Sequence, residues 1–552
     1  MDLRQIRRDL AGQNWRAMNE RSGRTEDEAQ ACGRRRWLIT ALVLTVTAAA
    51  TSIYAARDIK LRYDTLRYAL VAEQIVAGQG IKLSVLPHWR EPDPSGLTPY
   101  TLQPPGYPLV LAAMGGIQLD RMWPGRVINV VGHVTIVWCV WLITCRLVGF
   151  WVGSAAGFYV AICYPLLFVA SMMLSEVMYI ALSMGCLLGV VMAAGSDRRG
   201  AWLAVAAVTA AGAIATRLSG VVLLPILAWQ MLVTLRCRGG RAALSSAAAL
   251  ALPLIVLALL LARNWVQSGE LGGIPIATHD QSVGVTVGQT LGALGELLAL
   301  KVASIKSQVL VGLVMLTVVV LLIRLRRRTD VQVWRNGLDS VLLAAVLYYG
   351  FLVSSYYRYV LFVEPRYFVP LMPMLVIILF VLLAKGWGSL TIAGRTWVGK
   401  AALVGTIVYC LAFCGYDTFA RWPLRADIPD KREIISRSMR VLAPVQDHLR
   451  PGEGIASNRE IEIAFATGRP TMRLAMVRAN FDWQMPEDAS RWLSERMAVI
   501  DARYLVLVAP AEGLNERTWG AWLAGLSRRE DAAPPFTRIW QSHEGVIYEL
   551  KQ

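Results

Sequence analysis

Arg62-Tyr63-Asp64-Thr65-Leu66-Arg67-Tyr68, and beyond it Gln103-Pro104-Pro105-Gly106-Tyr107-Pro108, follow directly on the first apolar run long enough to cross a bilayer. Leu66, Ala69, Leu70, Glu73 and Ala77 fall at helical spacing, and Gly78 and Gly80 close the segment. That pattern predicts a short amphipathic helix along the membrane surface with Asp64 in its first turn. Residues 81–108 hold seven prolines, which predicts extended chain returning to the bilayer. The connection from Arg57 to Arg126 is longer than joining two spans requires. Local sequence alone allows a structural role for each part: Asp64 as a helix N-cap whose oxygen accepts an orphan backbone N–H, and the prolines as a rigid linker.

Outward from this loop the chain has the composition of a polytopic membrane protein. It is 552 residues long and 55% hydrophobic, with a mean hydropathy of +0.45, too apolar for a soluble enzyme and too long for a simple anchor. A hydrocarbon core about 30 Å thick needs roughly 20 apolar residues per helix, and about eleven such runs can be placed. They lie near 37–54, 127–147, 150–170, 174–194, 201–216, 219–235, 243–262, 308–323, 338–355, 367–384 and 401–418.

The net charge of +17 would point to nucleic acid in a soluble chain. Here the arginines follow topology: Arg7, Arg8 and Arg34 to Arg36, then Arg198-Arg199, Arg236 to Arg241, Arg324 to Arg328 and the stretch Lys385 to Lys400 fall after every second apolar run. The positive-inside rule places the N-terminus in the cytoplasm and everything after residue 420 outside. Residues 1–36 read as a basic cytoplasmic tail, 37–419 as the membrane domain with 57–126 as its first exported loop, and 420–552 as an exported domain. In that last region strand-like runs at Gly454 to Ser457, Tyr504 to Val508 and Val546 to Leu550 alternate with amphipathic patterns such as Pro486 to Met497. These predict a small α/β module. It carries no nucleotide-binding fingerprint. None of the eight cysteines falls in an exported loop, so no structural disulfide is expected. His88 and His133 have no partner at metal-ligand spacing and read as structural.

Isolated charges in apolar runs are costly unless they are paired or face water. Glu176 and Arg217 are such charges, and Glu364-Pro365-Arg366-Tyr367 closes a very short outer connection. With Asp64, the residues Glu176, Arg217 and Arg366 all map to exported helix ends and share a depth at which they could converge. Guanidinium forks suit a phosphate, and a carboxylate can take a proton from an attacking hydroxyl. A structural ion-pair network would use the same residues.

Tyr63-Asp64-Thr65-Leu66-Arg67-Tyr68, Gln103-Pro104-Pro105-Gly106-Tyr107-Pro108, Ser175-Glu176, Thr216-Arg217-Leu218-Ser219-Gly220 and Glu364-Pro365-Arg366-Tyr367, in that order, resemble the GT-C superfamily. The chain is most similar to the branch of protein O-mannosyltransferases and lipid A aminoarabinose transferases. The resemblance covers roughly 37–419 and implies a GT-C-like α-helical membrane protein of about eleven spans with a C-terminal α/β soluble domain. It implies a plasma-membrane enzyme that transfers a sugar, with inversion, from a polyprenyl-phosphate donor to a hydroxyl on a glycan, glycolipid or protein, without nucleic acid. Asp64 matches the catalytic base and Glu176 the second acidic position. Arg217 and Arg366 match the donor-phosphate positions, and substrate contacts extend to Arg67, Tyr68, Gln103, Glu364 and Tyr367. Two departures stand out. Gln103 replaces the lysine that aminoarabinose transferases generally carry before the Pro-Pro pair, which removes a cationic phosphate contact. Thr65 replaces a frequent glutamate after the base, so a divalent metal is not favoured and no cofactor is assigned. The rival readings are a lipid-linked sugar carrier or flippase, which needs no base, and a polysaccharide polymerase.

Overall fold

The computed structural model describes residues 26–57, 61–86, 97–118, 121–194, 196–238, 240–273, 282–297, 337–359, 364–389, scattered residues between 404 and 418, 431–473, 489–508 and 536–550. The chain forms two compact units, Met1–Ile59 with Arg126–Ala426, and Lys60–Gly125 with Asp427–Gln552.

The first unit is helical. Among the described residues six helices are long and apolar enough to cross a membrane: Gly33–Ala55, Trp123–Val148, Ser175–Ala193, Arg199–Thr216, Ser246–Ser268 and Asp339–Tyr357. A seventh is counted if Phe150–Ala161 and Tyr164–Ala170, which meet at 47°, form one span. Leu218–Thr234 and Leu371–Lys385 are shorter apolar helices in the expected runs 219–235 and 367–384. The expected run 308–323 lies outside the described residues, and 401–418 is described only in part.

The bend has a cause and a remedy. Pro165 in the first turn of Tyr164–Ala170 cannot donate a backbone hydrogen bond, so carbonyls near the break need other donors. Thr51 Oγ1 donates to Ala161 O at 2.9 Å and Thr418 Oγ1 to Ile162 O at 2.6 Å. His133 Nε2 lies 3.3 Å from Ala161 O, and Asn129 Nδ2 donates to Ala170 O at 2.6 Å. His133 is fully buried beside this break. Non-helical backbone at membrane depth is tolerated only where neighbouring side chains satisfy it in this way.

Ser175–Ala193 and Arg199–Thr216 form a tight antiparallel hairpin. Lipid supplies no hydrophobic drive between helices, so close packing of small residues carries the association. Gly185 and Gly189 face Thr209, Trp202 and Ala206; a Cβ on Gly189 would lie 2.6 Å from Trp202 O and 2.8 Å from Ala206 N. Arg199, at the closed end, donates to Thr234 and, at 3.1 Å, to Ser246, tying the hairpin to the next two helices. Cys139, Cys145, Cys163, Cys186 and Cys414 are buried thiols in the same core.

The second unit is built on a six-stranded mixed sheet. Its strands are β2 (Val85–Leu86), β4 (Ile455–Ser457), β5 (Thr471–Arg473), β6 (Tyr504–Val508), β7 (Phe536–Ser542) and β8 (Gly545–Leu550), in the order β2-β5-β4-β6-β8-β7. The first four in that order run parallel, and β8 and β7 are antiparallel. Every residue of β6 is buried, as a strand covered on both faces requires. Leu505 and Leu507 join Met472, Leu493 and Met497 on one side, while Tyr504, Val506 and Val508 join Val441, Leu442 and Ile463 on the other. A strand from the proline-rich stretch, β2, forms the edge, and β1 (Lys82–Leu83) pairs with β3 (Thr98–Pro99) in a small ribbon.

Because the Gly189 contacts are to backbone atoms, they cannot be relieved by a side-chain rotation. Gly189→Val is expected to lower stability in detergent by about 1–3 kcal/mol or more, read as a drop in thermal midpoint. Val208→Ala, at a side chain 60% exposed on the same hairpin, should leave the midpoint nearly unchanged.

Candidate active site

In the unit of Lys60–Gly125 and Asp427–Gln552, the helix carrying Asp64 spans Tyr63–Val76. Its cap position is Arg62, so Asp64 lies one residue inside the helix and does not act as the cap. Thr65 Oγ1 accepts the Arg62 backbone N–H at 3.3 Å, and an acidic side chain in the first turn is favoured by the helix dipole. Leu66, Tyr68, Ala69, Leu70 and Ala72 are buried, against the helices Gly106–Ala113 and Glu460–Thr467.

Asp64 is 20% exposed, and the Arg67 guanidinium lies 4.0 Å from it. The same guanidinium sits 4.2 Å over the ring of Tyr63. Burial works against the charge on Arg67, but Tyr63, Asp64, Tyr100 and Glu460 together hold its pKa above the ordinary value. Tyr68 meets Tyr107 edge-on at 5.0 Å. The Tyr100 hydroxyl donates to Gln103 Oε1 at 2.9 Å, so the carbonyl of Gln103 is engaged by protein.

The membrane unit assembles a second group of expected residues. Glu176 stands in the first turn of Ser175–Ala193, and Arg217 caps the C-terminal end of Arg199–Thr216 in extended conformation. Each charge complements its own helix dipole, and the antiparallel hairpin brings the two ends side by side. Arg217 Nη1 lies 3.0 Å from Glu176 Oε1 and donates to Ser175 Oγ at 3.0 Å. The Glu176 side chain is 3% exposed. Its second oxygen, Oε2, is buried with no hydrogen-bond partner among the described residues. The chain can turn so closely after Arg217 because Gly220 packs against the backbone of Ala213 and Ile214, where a Cβ would approach Ile214 N at 2.6 Å.

Glu364, Arg366 and Tyr367 complete this group. The short 3-10 turn Pro365–Phe368 presents Arg366, whose Nε lies 2.5 Å from Glu364 Oε2. Arg366 Nη2 donates to the Tyr367 hydroxyl at 3.0 Å. The guanidinium carbons of Arg366 and Arg217 lie 4.8 Å and 5.6 Å from the centre of the Tyr367 ring. The Tyr348 hydroxyl fixes this turn by donating to Tyr367 O at 2.9 Å.

Thus Asp64, Arg67 and Tyr68 share one helix of one unit, with Gln103 outside that helix in the same unit. Glu176, Arg217, Glu364, Arg366 and Tyr367 are together in the other. Among the described residues no three His, Cys, Asp or Glu side chains are grouped to hold a metal ion. Sequence reading gave no role to Tyr348, which fixes the Tyr367 turn, nor in the other unit to Tyr63, Lys431, Glu460 and Glu462. Only Glu460 and Glu462, two acids in an otherwise apolar helix, left a signal to find.

No protein-family model and no curated protein matches the sequence. Solved structures do. ArnT from Cupriavidus metallidurans bound to undecaprenyl phosphate superposes with a TM-score of 0.54 at 13% identity, over 93% of this chain and 97% of that one. Its apo state gives 0.55 at 14%, over 94% and 98%. The Archaeoglobus fulgidus oligosaccharyltransferase, tethered by a disulfide to an acceptor peptide containing the NVT sequon, gives 0.51 at 13%, over 85% and 69%. At these identities the likeness establishes architecture alone: this chain shares the fold of these solved proteins.

Proposed function

We propose that the chain is an inverting glycosyltransferase that moves a sugar from a polyprenyl-phosphate donor to a hydroxyl acceptor at the outer face of the plasma membrane. The observation that carries this reading is the gathering of Arg217 and Arg366 around one tyrosine ring, in a fold shared with a protein solved with undecaprenyl phosphate. In this reading the membrane domain has about eleven spans, the N-terminus is cytoplasmic, and residues 420–552 form an exported α/β domain.

The roles follow from the chemistry. Asp64 accepts the proton of the acceptor hydroxyl as its oxygen attacks the anomeric carbon. As the bond from that carbon to the phosphate oxygen breaks, one further negative charge develops on the departing polyprenyl phosphate. Arg366 and Arg217 are suited to stabilise it, because charge-assisted guanidinium forks strengthen as charge builds. Glu176 holds Arg217 in place, and Tyr367 offers its ring to both cations. No metal is given a role. The acceptor is a hydroxyl on a glycan, a glycolipid or a protein, and contacts from Arg67, Tyr68 and Gln103 belong to substrate recognition.

Purified protein incubated with a panel of labelled undecaprenyl-phosphate sugars and a cell-envelope fraction should transfer label from one of them. Asp64→Asn keeps the shape and removes the proton acceptor, so transfer is expected to fall by about 10²–10⁴-fold while donor binding persists. Undiminished transfer would remove Asp64 from the mechanism, and lipid translocation without transfer in the wild type would favour a carrier. Arg366→Ala is expected to weaken donor binding by about 1.5–3 kcal/mol, the range for hydrogen bonds to charged groups. Titration with the same lipid checks this, and an unchanged affinity would refute the phosphate role.

A further inference from the structure

The unit of Lys60–Gly125 and Asp427–Gln552 buries charge where no transferred group has been assigned to it. Glu460 and Glu462 are 4% and 1% exposed, and they lie in the short helix Glu460–Thr467. Withdrawing such charges from water costs several kcal/mol each unless they are paired. Their partners are specific. The Tyr63 hydroxyl donates to Glu460 Oε1 at 2.8 Å, and Lys431 Nζ lies 2.7 Å from Glu462 Oε1. Lys431 also lies 5.8 Å from the centre of the Tyr63 ring, whose other cation contact is Arg67 at 4.2 Å.

The backbone is also tied on both sides of the helix Tyr63–Val76. The Lys431 N–H donates to Leu61 O at 3.2 Å, just before the helix begins, and the Thr471 N–H to Ser84 O at 2.9 Å, beyond its end. Thr471 Oγ1 in turn donates to Glu460 O at 2.9 Å. Tyr63 adjoins Asp64 in sequence, and Arg67 touches both the Tyr63 ring and the Asp64 carboxylate. Whatever orients Tyr63 therefore orients Asp64.

We infer that Glu460 and Lys431 are positioning residues for Asp64: the segment Asp427–Gln552 clamps the first turn of the helix Tyr63–Val76 through Tyr63 and so sets the direction of the carboxylate. The inference rests on the reading of Asp64 as the base, yet the clamp itself is measurable without turnover. A small misorientation of a base can cost orders of magnitude in rate, whereas donor affinity is set elsewhere.

The test uses the full-length protein and two readouts, amide hydrogen exchange across 63–76 and transfer from the undecaprenyl-phosphate sugar that supports turnover. Tyr63→Phe keeps the ring and deletes the hydroxyl. Glu460→Ala deletes the acceptor, and Glu460→Gln keeps an oxygen that accepts the phenol. In Tyr63→Phe and Glu460→Ala, exchange in the first turns of this helix should rise about tenfold and kcat should fall about tenfold, an energy near one hydrogen bond. Donor KM and the exchange of β4 and β6 should stay within twofold of wild type, and Glu460→Gln should restore both readouts. Unchanged exchange and unchanged kcat in Tyr63→Phe would overturn the clamp. If Glu460→Ala also loosens the sheet, Tyr63→Phe, which leaves every buried charge in place, decides. Asp64→Asn should leave exchange unaltered, so full activity in that variant refutes the base reading while the exchange data still report on the clamp.

Discussion

A charge held at apolar depth must be met by an opposite charge, and the membrane unit is arranged around one such meeting. Glu176 and Arg217 sit at opposite-signed ends of two antiparallel helices. The hairpin puts a favourable acid at a helix N-terminus beside a favourable base at a helix C-terminus, so the pair follows from topology as much as from side-chain choice. The small residues that let the helices approach are a condition for it. Gly189 and Ala206 let the two backbones approach along the hairpin, at whose open end the two charges lie 3.0 Å apart. Packing and electrostatics therefore share one cause, and the Tyr367 turn is seated against a cation whose position is already determined.

Lone charges were the most legible part of this site. Glu176 and Arg217 stand out because each interrupts a long apolar run, where an ionised group without a partner is too costly to keep. The strands β4, β6 and β8 were legible for another reason: runs such as Tyr504 to Val508 alternate between two buried faces. Glu460 and Glu462 left a faint mark as two acids in an otherwise apolar helix, whereas Lys431 was unremarkable in a region where charges of both signs are mixed. Tyr63 and Glu460 are 397 positions apart, and no periodicity connects them. The edge strand β2 is two residues long and adjoins prolines, so it offered no alternation to read. The Asp64 segment had suggested a cap, but Arg62 holds that position, and the short-range rule could not choose between neighbours.

The sheet of the second unit bears on why the loop after the first span is so long. A two-residue strand cannot be stable alone; β2 is ordered by pairing with β5, whose other edge is covered by β4. Its parallel pairing draws on a sheet whose other members come from beyond residue 450. The proline-rich stretch thus acts as more than a spacer, because it joins the helix of Asp64 and the C-terminal sheet into one folding unit. Prolines suit such a joint, since they limit the conformations of the free chain and reduce the entropy lost on docking.

The two arginines around Tyr367 differ in what it costs to expose them to a ligand. Both carry a carboxylate partner, Glu176 for Arg217 and Glu364 for Arg366, so two positive and two negative side chains cancel in formal charge. An anion can bind only by displacing a carboxylate or adding to its shell. The Glu364 side chain is 43% exposed and Arg366 10%, so the Glu364 carboxylate can regain water if it leaves the pair. Glu176 is 3% exposed, and removing one partner of a buried pair costs about 3–5 kcal/mol. Under the proposed function, an incoming phosphate would gain more by taking Arg366 from Glu364 than by separating Arg217 from Glu176. In the proposed reading Arg366 is the exchangeable contact and Arg217 the fixed one.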